Sequence, residues 1–494
     1  MIKSSRRSVR FSDYIRNSVL RRKDTDTMKR FVGVFLLLVI FMLSLASCES
    51  IGEIVEQSIQ TTESGDTADE SESGEPSGKV TTASSEGNPT STVNGSAVKE
   101  IGEIKTIFSE TATPTEFTVG EDRYDLDCTA FLYGNTDAAT FPRFLSDLEE
   151  HGFTLYATNG ENGINGFCRQ ATLYNDYFTV NVTRYAKTQE TYITVEAKRD
   201  LSPLQIKPET RYYGTNTVFH NPKHPNNTET GKYAFGELDI FQLNNNHFVV
   251  VDGAQEYSSQ MFVEYLENLV GEGNTPIIDA WFFTHAHPDH IYCCWGVGRD
   301  PNLVGRIRVN GFYYTFPNDK GVRRESDYDG LKEQIANLNS VLGNFRTVDG
   351  KVTPKYKLHA GMTFYIDELK AEILMTQDQL MPEEYKSFND SSTSFKFTVY
   401  STGNVQTTFL IMGDANTPVC NAIMLKYDYN TLHTNFFTSL HHGNNDCAVF
   451  FAFIAPDYLI YTAPSKKTST GYEWLNENCK EYFVAPSVIH IPYQ

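Results

Sequence analysis

The sequence predicts an α/β protein whose main domain is preceded by a small α+β domain and a disordered tether. Three observations predict this organisation. Apolar strand-like runs alternate with helical spacing from about residue 210 to the end of the 494-residue chain. Short strand-like runs fill residues 110–200, and Ser, Thr, Gly and Glu dominate residues 49–100. We therefore divide the chain into residues 1–48, 49–105, 106–205 and 206–494.

The first 48 residues join a basic head to an uncharged apolar stretch. Residues 1–30 hold ten Lys or Arg and three Asp or Glu, and the 17 residues 31–47 hold no charge. This stretch is short for a membrane-spanning helix, which needs about 20 residues, and suits the core of a signal peptide. The sequence LASC that ends at Cys48 resembles the lipobox of bacterial lipoproteins. We expect lipidation at Cys48 and an extracytoplasmic protein anchored to the bacterial cell membrane; an uncleaved N-terminal anchor is the alternative.

Residues 49–105 are predicted to be a disordered tether. No aromatic residue occurs between residues 49 and 100, so this segment buries too little apolar surface to offset its ordering entropy. Seven scattered cysteines follow Cys48 without CxxC spacing, which predicts neither a disulfide scaffold nor a thiolate zinc cluster. In an exported protein, a single Cys128–Cys168 bridge is the pairing that we consider.

Local patterns predict the elements of both domains. In the small domain, helical spacing covers residues 141–151, and four strand-like runs follow it. This domain shows no catalytic constellation and is predicted to be a structural or surface-interaction module. In the main domain we expect a hairpin around residues 244–246, a helix over 257–270 and a buried strand over 277–283.

Three histidines and one aspartate lie within six residues directly after that buried strand. They are His285, His287, Asp289 and His290 in the sequence HAHPDH. Divalent cations take several nitrogen and oxygen ligands, and alternation along an extended loop aims His285 and His287 the same way. Asp289 and His290 open the following helix and can serve a second ion. The pattern therefore predicts a metal site.

The HAHPDH sequence resembles the HxHxDH signature of the metallo-β-lactamase superfamily. Later motifs follow in the superfamily's order: Asp252-Gly253 resembles its early Asp motif, Gly413-Asp414 its Gly-Asp motif, and His441-His442-Gly443 its late histidine motif. This resemblance implies an αββα metallo-β-lactamase sandwich in which Asp414 bridges two metal ions. It also implies one ligand in the late pair. We favour His442, with His441 supporting it, and the reverse order is the alternative.

One histidine of the superfamily pattern is missing before Asp414. His359 comes too early, and the sequence FNDSS at residues 388–392 stands where the ligand would fall. This segment is similar to that of the nuclease-like domain of ComEC DNA-uptake proteins and their exported relatives. Either Asp390 completes the first metal position, or that position is weak. Because oxygen ligands shift preference from Zn²⁺ towards Mn²⁺, we expect one or two Zn²⁺ ions, with Mn²⁺ as the alternative.

The resemblance implies metal-assisted hydrolysis. A metal ion lowers the pKa of bound water from 15.7 to about 7, and the metal-bound hydroxide attacks a phosphoryl or carbonyl centre. Asp414 would bridge the ions, and Asp289 would orient the water. The ComEC-like pattern favours a phosphodiester in a small-molecule or cell-wall-linked substrate. The alternatives are a lactone or β-lactam hydrolase and a degenerate member of the fold that serves as a surface-binding module.

Charge bears on the choice of substrate. The chain holds 42 Lys and Arg against 62 Asp and Glu, a net charge of −20. Residues 211–494 hold 21 against 31 and show no basic stripe. Phosphate contacts need surplus Lys and Arg, so nucleic acid is a disfavoured but open substrate. The aromatic run at residues 312–316 either lines a substrate groove or packs inside the sheet, and we favour packing.

Overall fold

The computed structural model describes residues 98–99, 103–104, 107–108, 128–224, 236–317, 328–380, 387–463 and 467–493. The predicted signal and lipobox region, with Cys48, lies outside these residues, as does nearly all of the predicted tether. Residues 91–494 belong to one compact unit, and the predicted boundary between residues 205 and 206 stays a prediction. Within the described ranges, no helix has both the length and the apolar character needed to cross a bilayer.

A small antiparallel sheet of five strands begins the described fold, in the order β1-β5-β4-β3-β2. One face of this sheet packs against the apolar side of α1 through Phe141, Phe144 and Leu148. The predicted helix and the four strand-like runs are confirmed. The elements are β1 Thr129–Tyr133, α1 Thr140–Glu150, β2 Thr154–Thr158, β3 Cys168–Tyr174, β4 Phe178–Tyr185 and β5 Glu190–Ala197.

The considered Cys128–Cys168 bridge is wrong, because both residues are free thiols. Cys128 directly precedes β1 and Cys168 begins β3, and the sheet order places β5 and β4 between these strands. Three spacings of about 4.8 Å alone separate the two cysteines by about 14 Å, and the register puts them at opposite ends of their strands. A disulfide requires Cα atoms within about 7 Å. Burial raises the pKa of each thiol to about 12, so both are unreactive as well as distant.

Two larger mixed sheets form the rest of the fold. The first has the order β12-β11-β9-β8-β7-β6-β20, with β10 beside β9, and the second runs in chain order from β13 to β19. Their strands are β6 Thr217–Asn221, β7 Leu238–Gln242, β8 Phe248–Asp252, β9 Ile277–Phe282, β10 Arg308–Val309, β11 Phe312–Tyr314, β12 Lys355–Lys357, β13 Thr363–Ile366, β14 Leu369–Met375, β15 Ser394–Ser401, β16 Val405–Ile411, β17 Phe436–Thr438, β18 Tyr458–Tyr461, β19 Glu481–Val484 and β20 Ser487–Ile491.

Helices cover the outer faces of both large sheets. They are α2 Ser259–Val270, α3 Pro288–Arg299, α4 Pro301–Val304, α5 Tyr328–Leu342, α6 Thr417–Lys426, α7 Tyr429–Leu432, α8 Ala448–Ile454 and α9 Thr470–Asn478. Helices α2, α3 and α5 pack on the first sheet, and α6, α8 and α9 pack on the second. A core rich in phenylalanine fills the space between the sheets. These four layers form an αββα sandwich, as the sequence predicts.

The direction of the central strands positions the site. Strands β8, β9, β11 and β12 run parallel to one another, as do β16, β17 and β18. The carboxyl ends of parallel strands meet at one edge of a sheet, where α/β proteins place their chemistry. The predicted hairpin is confirmed as β7 and β8. The helix predicted over residues 257–270 is confirmed as a short 3₁₀ turn followed by α2.

Candidate metal centre

The loop after β9 carries the first histidine motif to the sheet edge. His287 immediately precedes α3, Pro288 is the first residue of that helix, and Asp289 and His290 lie in its first turn. Proline suits this position because the first helical N–H has no intrahelical partner. His285 and His290 are buried, whereas His287 and Asp289 are partly exposed. The motif therefore spans from the protein interior to the surface.

Asp414 lies between two sets of histidines. Its Oδ2 atom is 3.7 Å from Nε2 of His285 and 3.5 Å from Nε2 of His441. Its Oδ1 atom is 3.2 Å from Nε2 of His290 and 3.6 Å from Nε2 of His442. The two carboxylate oxygens thus face different histidines, which is the arrangement expected of a carboxylate that bridges two cations.

Two groups of donor atoms converge at this edge. The first consists of His285, His287 and Asp414, and the second of Asp289, His290 and His442. Within each group the candidate ligand atoms lie within 4.8 Å of one another. In the second group, Nε2 of His442 is 3.2 Å from Oδ2 of Asp289. Imidazole nitrogens combined with carboxylate oxygens suit Zn²⁺, and a larger share of oxygen suits Mn²⁺.

Several buried atoms at the centre have no hydrogen-bond partner among the described residues. They are both carboxylate oxygens of Glu237, and Nε2 of His290 and Oδ1 of Asp414 likewise lack a well-aligned hydrogen bond although they face each other at 3.2 Å. Buried polar atoms are normally paired, because leaving one unpaired costs about 1–3 kcal/mol. A divalent cation would satisfy these atoms, so the donor set fits a metal ion.

No family model matches the chain, and no curated protein matches it. Among solved structures, the chain is similar to a metallo-β-lactamase with a HARLDQ motif from Cronobacter sakazakii, with 17% identity, 40% of this chain and 70% of the other covered, and a TM-score of 0.25. It is also similar to Zn²⁺-bound PqqB from Methylobacterium extorquens, with 8% identity, 55% and 99% covered, and a TM-score of 0.32. A third similarity is to the metallo-β-lactamase MIM-1 from Novosphingobium pentaromativorans, with 12% identity, 50% and 80% covered, and a TM-score of 0.24. All three TM-scores are low. The αββα fold is therefore described from the four layers of this chain and not from these similarities.

Asp252 holds the buried end of the centre in place. Its Oδ2 atom is 2.7 Å from Nδ1 of His290, and its Oδ1 atom accepts a 2.7 Å hydrogen bond from the backbone N–H of Thr284. The Thr284 hydroxyl donates to Oδ2 as well. A carboxylate on the second ring nitrogen fixes the orientation and tautomer of a metal-binding histidine. Asp252 therefore directs Nε2 of His290 towards Asp414.

Both late histidines lie near Asp414, and His442, the ligand that the sequence favours, is the one that joins the donor groups. His441 and His442 adopt left-handed backbone conformations with φ of 48° and 51°, and Gly443 follows with φ of 81°. In an extended strand, neighbouring side chains point to opposite faces, but this turn aims the two rings the same way. Nδ1 of His442 is 3.1 Å from the hydroxyl of Thr462. Such left-handed conformations are costly for residues other than glycine and cluster at functional sites.

Asp390 does not join the donor groups, contrary to one of the two sequence-based alternatives. Its Oδ2 atom accepts a 3.2 Å hydrogen bond from the backbone N–H of Ser387 and caps the 3₁₀ turn Phe388–Ser391. Its neighbour Asn389 lies closer to the histidines, with Nδ2 3.4 Å from Nδ1 of His441. Asp390 therefore caps the turn, and Asn389 is the residue of this segment that contacts His441.

Glu237 is the residue that the sequence argument misses. It is fully buried and groups with Asp414 and His442 on one side and with Asp252 and His290 on the other. Burial, together with the nearby carboxylates of Asp239 and Asp252, raises the pKa of Glu237 well above its usual range. The available signal was a pair of acidic residues at alternate positions in the apolar run ELDIF, because alternate residues share one face of a strand.

The charges at the centre balance one another. Burial alone would lower the pKa of His290, but Asp414 and Asp252 outweigh it and raise that pKa well above the usual range. Burial alone would raise the pKa of Asp414, but His290 and His442 hold it well below the usual range. The two carboxylates therefore stabilise positive charge at this point of the centre, and a divalent cation bound there would displace the proton from His290.

Proposed function

We propose that this protein is a metal-dependent hydrolase of phosphodiester bonds, held at the outer surface of a bacterial cell membrane by a lipid on Cys48. The observation that carries the proposal is the position of Asp414, whose two carboxylate oxygens face separate sets of histidines at 3.2–3.7 Å. In a structural ion pair a carboxylate needs only one cationic partner, whereas the Asp414 carboxylate lies near four imidazole rings. Such a donor set suits two cations held side by side.

The residues that would hold the metal fall into two sets that share Asp414. One set consists of His285 and His287, with His441 beside the same oxygen of Asp414, and the other of Asp289, His290 and His442. A bound divalent cation would act as a Lewis acid and lower the pKa of a coordinated water.

Asp289 is the carboxylate best placed to orient the attacking water. Its side chain is 15% exposed, whereas that of Asp414 is 2% exposed. Burial would raise the pKa of Asp289, but the hydrogen bond from His442 and the charge of His290 outweigh this effect and lower it. Asp289 therefore stays ionised and would orient the attacking water molecule.

A phosphodiester in a small or wall-linked molecule is the substrate class that we favour. This choice of substrate class is supported by the similarity of residues 388–392 to the corresponding segment of ComEC-like proteins. The net negative charge of residues 211–494 favours such molecules over long DNA.

An activity screen tests this function. The purified chain, supplied with Zn²⁺ or Mn²⁺, should bind at least one ion and hydrolyse bis(p-nitrophenyl) phosphate faster than single-stranded DNA, double-stranded DNA or a β-lactam. His287→Ala and Asp414→Ala should each abolish this hydrolysis. His490→Ala, which changes an exposed histidine on β20, should leave it unchanged. A chain without bound metal by elemental analysis would overturn the enzyme proposal.

A labelling experiment tests the anchor separately. Cells that express the chain should incorporate labelled palmitate into it, and Cys48→Ala should remove the label. Label that persists in the variant would show that Cys48 is not the lipid attachment site.

A further inference from the structure

A cavity of about 570 Å³ lies between the end of β5, the ends of β11 and β12, and α5. Its described wall contains four cationic side chains, Lys198, Arg199, Lys355 and Lys357, against the single carboxylate of Glu196. This is a local reversal of charge in a chain whose net charge is −20. This positive cluster cannot be recognised in the sequence, because its four cations come from two segments more than 150 residues apart.

Arg199 is the best-placed donor in this wall. Its Nε atom lies 2.8 Å from Oε2 of Glu196. Its two terminal nitrogens are buried and have no hydrogen-bond partner among the described residues. A guanidinium with unpaired N–H groups needs an acceptor, and a rotation of this side chain towards the cavity would present its planar fork to a phosphate.

The lysines add positive charge to the cavity. Nζ of Lys357 is 2.8 Å from Oε1 of Glu196. Lys198 pairs with the exposed Asp176 at 3.4 Å and lies over the ring of Tyr174, so its ammonium is directed away from the cavity. Lys355 is exposed and has no ion-pair partner in the described part of the chain. The one carboxylate of the wall is thus shared by two of its cations, and the cavity retains a net positive charge.

The cavity and the metal centre share one sheet edge. Tyr314 and Phe316, at the end of β11, line the cavity. Strand β11 lies directly beside β9, and the backbone N–H of Phe283 donates to the carbonyl of Tyr313 at 3.0 Å. Two residues after Phe283 comes His285. Because neighbouring strands lie about 4.8 Å apart, the Tyr314 side of the cavity lies about one strand spacing from the strand that leads to His285. The predicted aromatic run thus divides: Phe312 and Tyr313 are buried in the core, and Tyr314 and Phe316 face the cavity.

We propose that this cavity binds a second phosphate group of the same substrate molecule whose phosphodiester lies at the metal centre. This inference deepens the proposed phosphodiesterase function and depends on it. The substrate class is therefore a phosphodiester with a further phosphate several atoms away. An ester of a cationic head group does not fit, because the cavity would repel it.

A pair of chromogenic substrates tests the inference. Thymidine 5′-(p-nitrophenyl phosphate) and its 3′-phosphorylated form contain the same scissile bond and differ by one phosphate. We expect the phosphorylated form to have a KM about tenfold lower, which corresponds to one charge-assisted phosphate contact. Lys355→Gln and Arg199→Gln should each reduce this ratio towards one. Lys351→Gln changes an exposed lysine that pairs with Asp349 outside the cavity and should keep the ratio. Equal KM values in the unaltered protein, or a ratio that survives both cavity variants, would overturn the proposal.

A binding measurement separates the cavity from the chemistry. Calorimetry of inorganic tripolyphosphate with the EDTA-treated chain should show binding that Lys355→Gln weakens and His287→Ala leaves intact. If neither nucleotide is hydrolysed but this binding is found, the proposed function fails and the anion site stands. If hydrolysis occurs but tripolyphosphate binding is absent or unaffected by Lys355→Gln, the anion site fails.

Discussion

Gly413 determines where Asp414 can lie. Its φ of 52° is in the left-handed region, and a Cβ atom there would come within 2.5 Å of the hydroxyl oxygen of Thr284. Thr284 in turn donates to Asp252. The close approach of two chain segments, as well as the backbone angle, therefore requires glycine at this position.

We expect Gly413→Ala to displace Asp414 or Thr284 and to abolish both metal binding and hydrolysis. Gly403→Ala is the matched control, because Gly403 also has a positive φ, 76°, but nothing lies within 4 Å of its added Cβ. That control should lose only about 1–2 kcal/mol of stability to backbone strain. Elemental analysis and urea denaturation measure both effects. Equal metal loss in the two variants would show that strain, not crowding at Thr284, is responsible.

Asp252 should affect metal affinity without touching the metal. In Asp252→Asn, the side-chain amide places an N–H donor against Nδ1–H of His290, where the carboxylate accepted. We expect metal affinity to fall about 10–100-fold, measured by competition with a chromogenic chelator. Asp300→Asn is the control, because Asp300 caps α4 away from the centre and asparagine caps a helix equally well. Unchanged affinity in Asp252→Asn would contradict the orienting role.

At the scale of elements, the sequence predicts those features that depend on the local pattern of residues. The β7–β8 hairpin and the buried strand β9 follow from apolar runs and turn residues. The first turn of α3, which contains Asp289, also follows, because Pro288 marks the start of this helix. The position of Glu237 and the left-handed turn at His441 and His442 do not follow. Glu237 reaches the centre because β7 pairs with β8, and His441 reaches it through a left-handed turn.

The edge of the first sheet also contains a pH-sensitive contact remote from the metal centre. His220 on β6 is buried, with Nδ1 3.0 Å from the hydroxyl of Tyr265 and Nε2 3.2 Å from Oε1 of Gln242. Burial lowers the pKa of His220 from 6.5 to about 4. Below pH 6.5 the unfolded chain takes up a proton that the folded chain excludes. Stability should therefore fall as the pH drops from about 6.5 to about 4.

We expect His220→Gln to reduce the slope of the unfolding free energy against pH. The reduction should match the uptake of one proton, which is about 1.4 kcal/mol per pH unit. Glutamine keeps polar atoms near Tyr265 and Gln242 but does not titrate. Urea denaturation at pH 7.5, 6.0 and 5.0 gives the slope of unfolding free energy against pH. His151→Gln, which changes an exposed histidine after α1, should retain the slope of the unaltered protein. An unchanged slope in His220→Gln would assign the acid sensitivity to other groups.

At the scale of the whole molecule, the small sheet shares a hydrophobic core with the sandwich. Its second face contributes Ala130, Leu132 and Tyr185 to the cluster formed by α6, α8 and α9. The ring of Tyr185 lies 5.9 Å from that of Tyr427. The buried Lys426 approaches the Tyr185 ring at 4.3 Å and pairs with Glu190. Exposing this apolar interface to water is costly, so the small sheet should not open alone.

Tyr185→Ala tests this coupling. Removing the buried ring should cost about 3–5 kcal/mol and should raise amide hydrogen exchange in α6 as well as in β4, because the ring supports both. Leu173→Ala is the matched control: Leu173 is equally buried but belongs to the core between the small sheet and α1. That variant should raise exchange within the small sheet and leave α6 protected. If α6 stays protected in Tyr185→Ala too, the small sheet is an independent folding unit. The cavity beside α5 would then be lined by two bodies free to separate, and its affinity for phosphate should fall when they do.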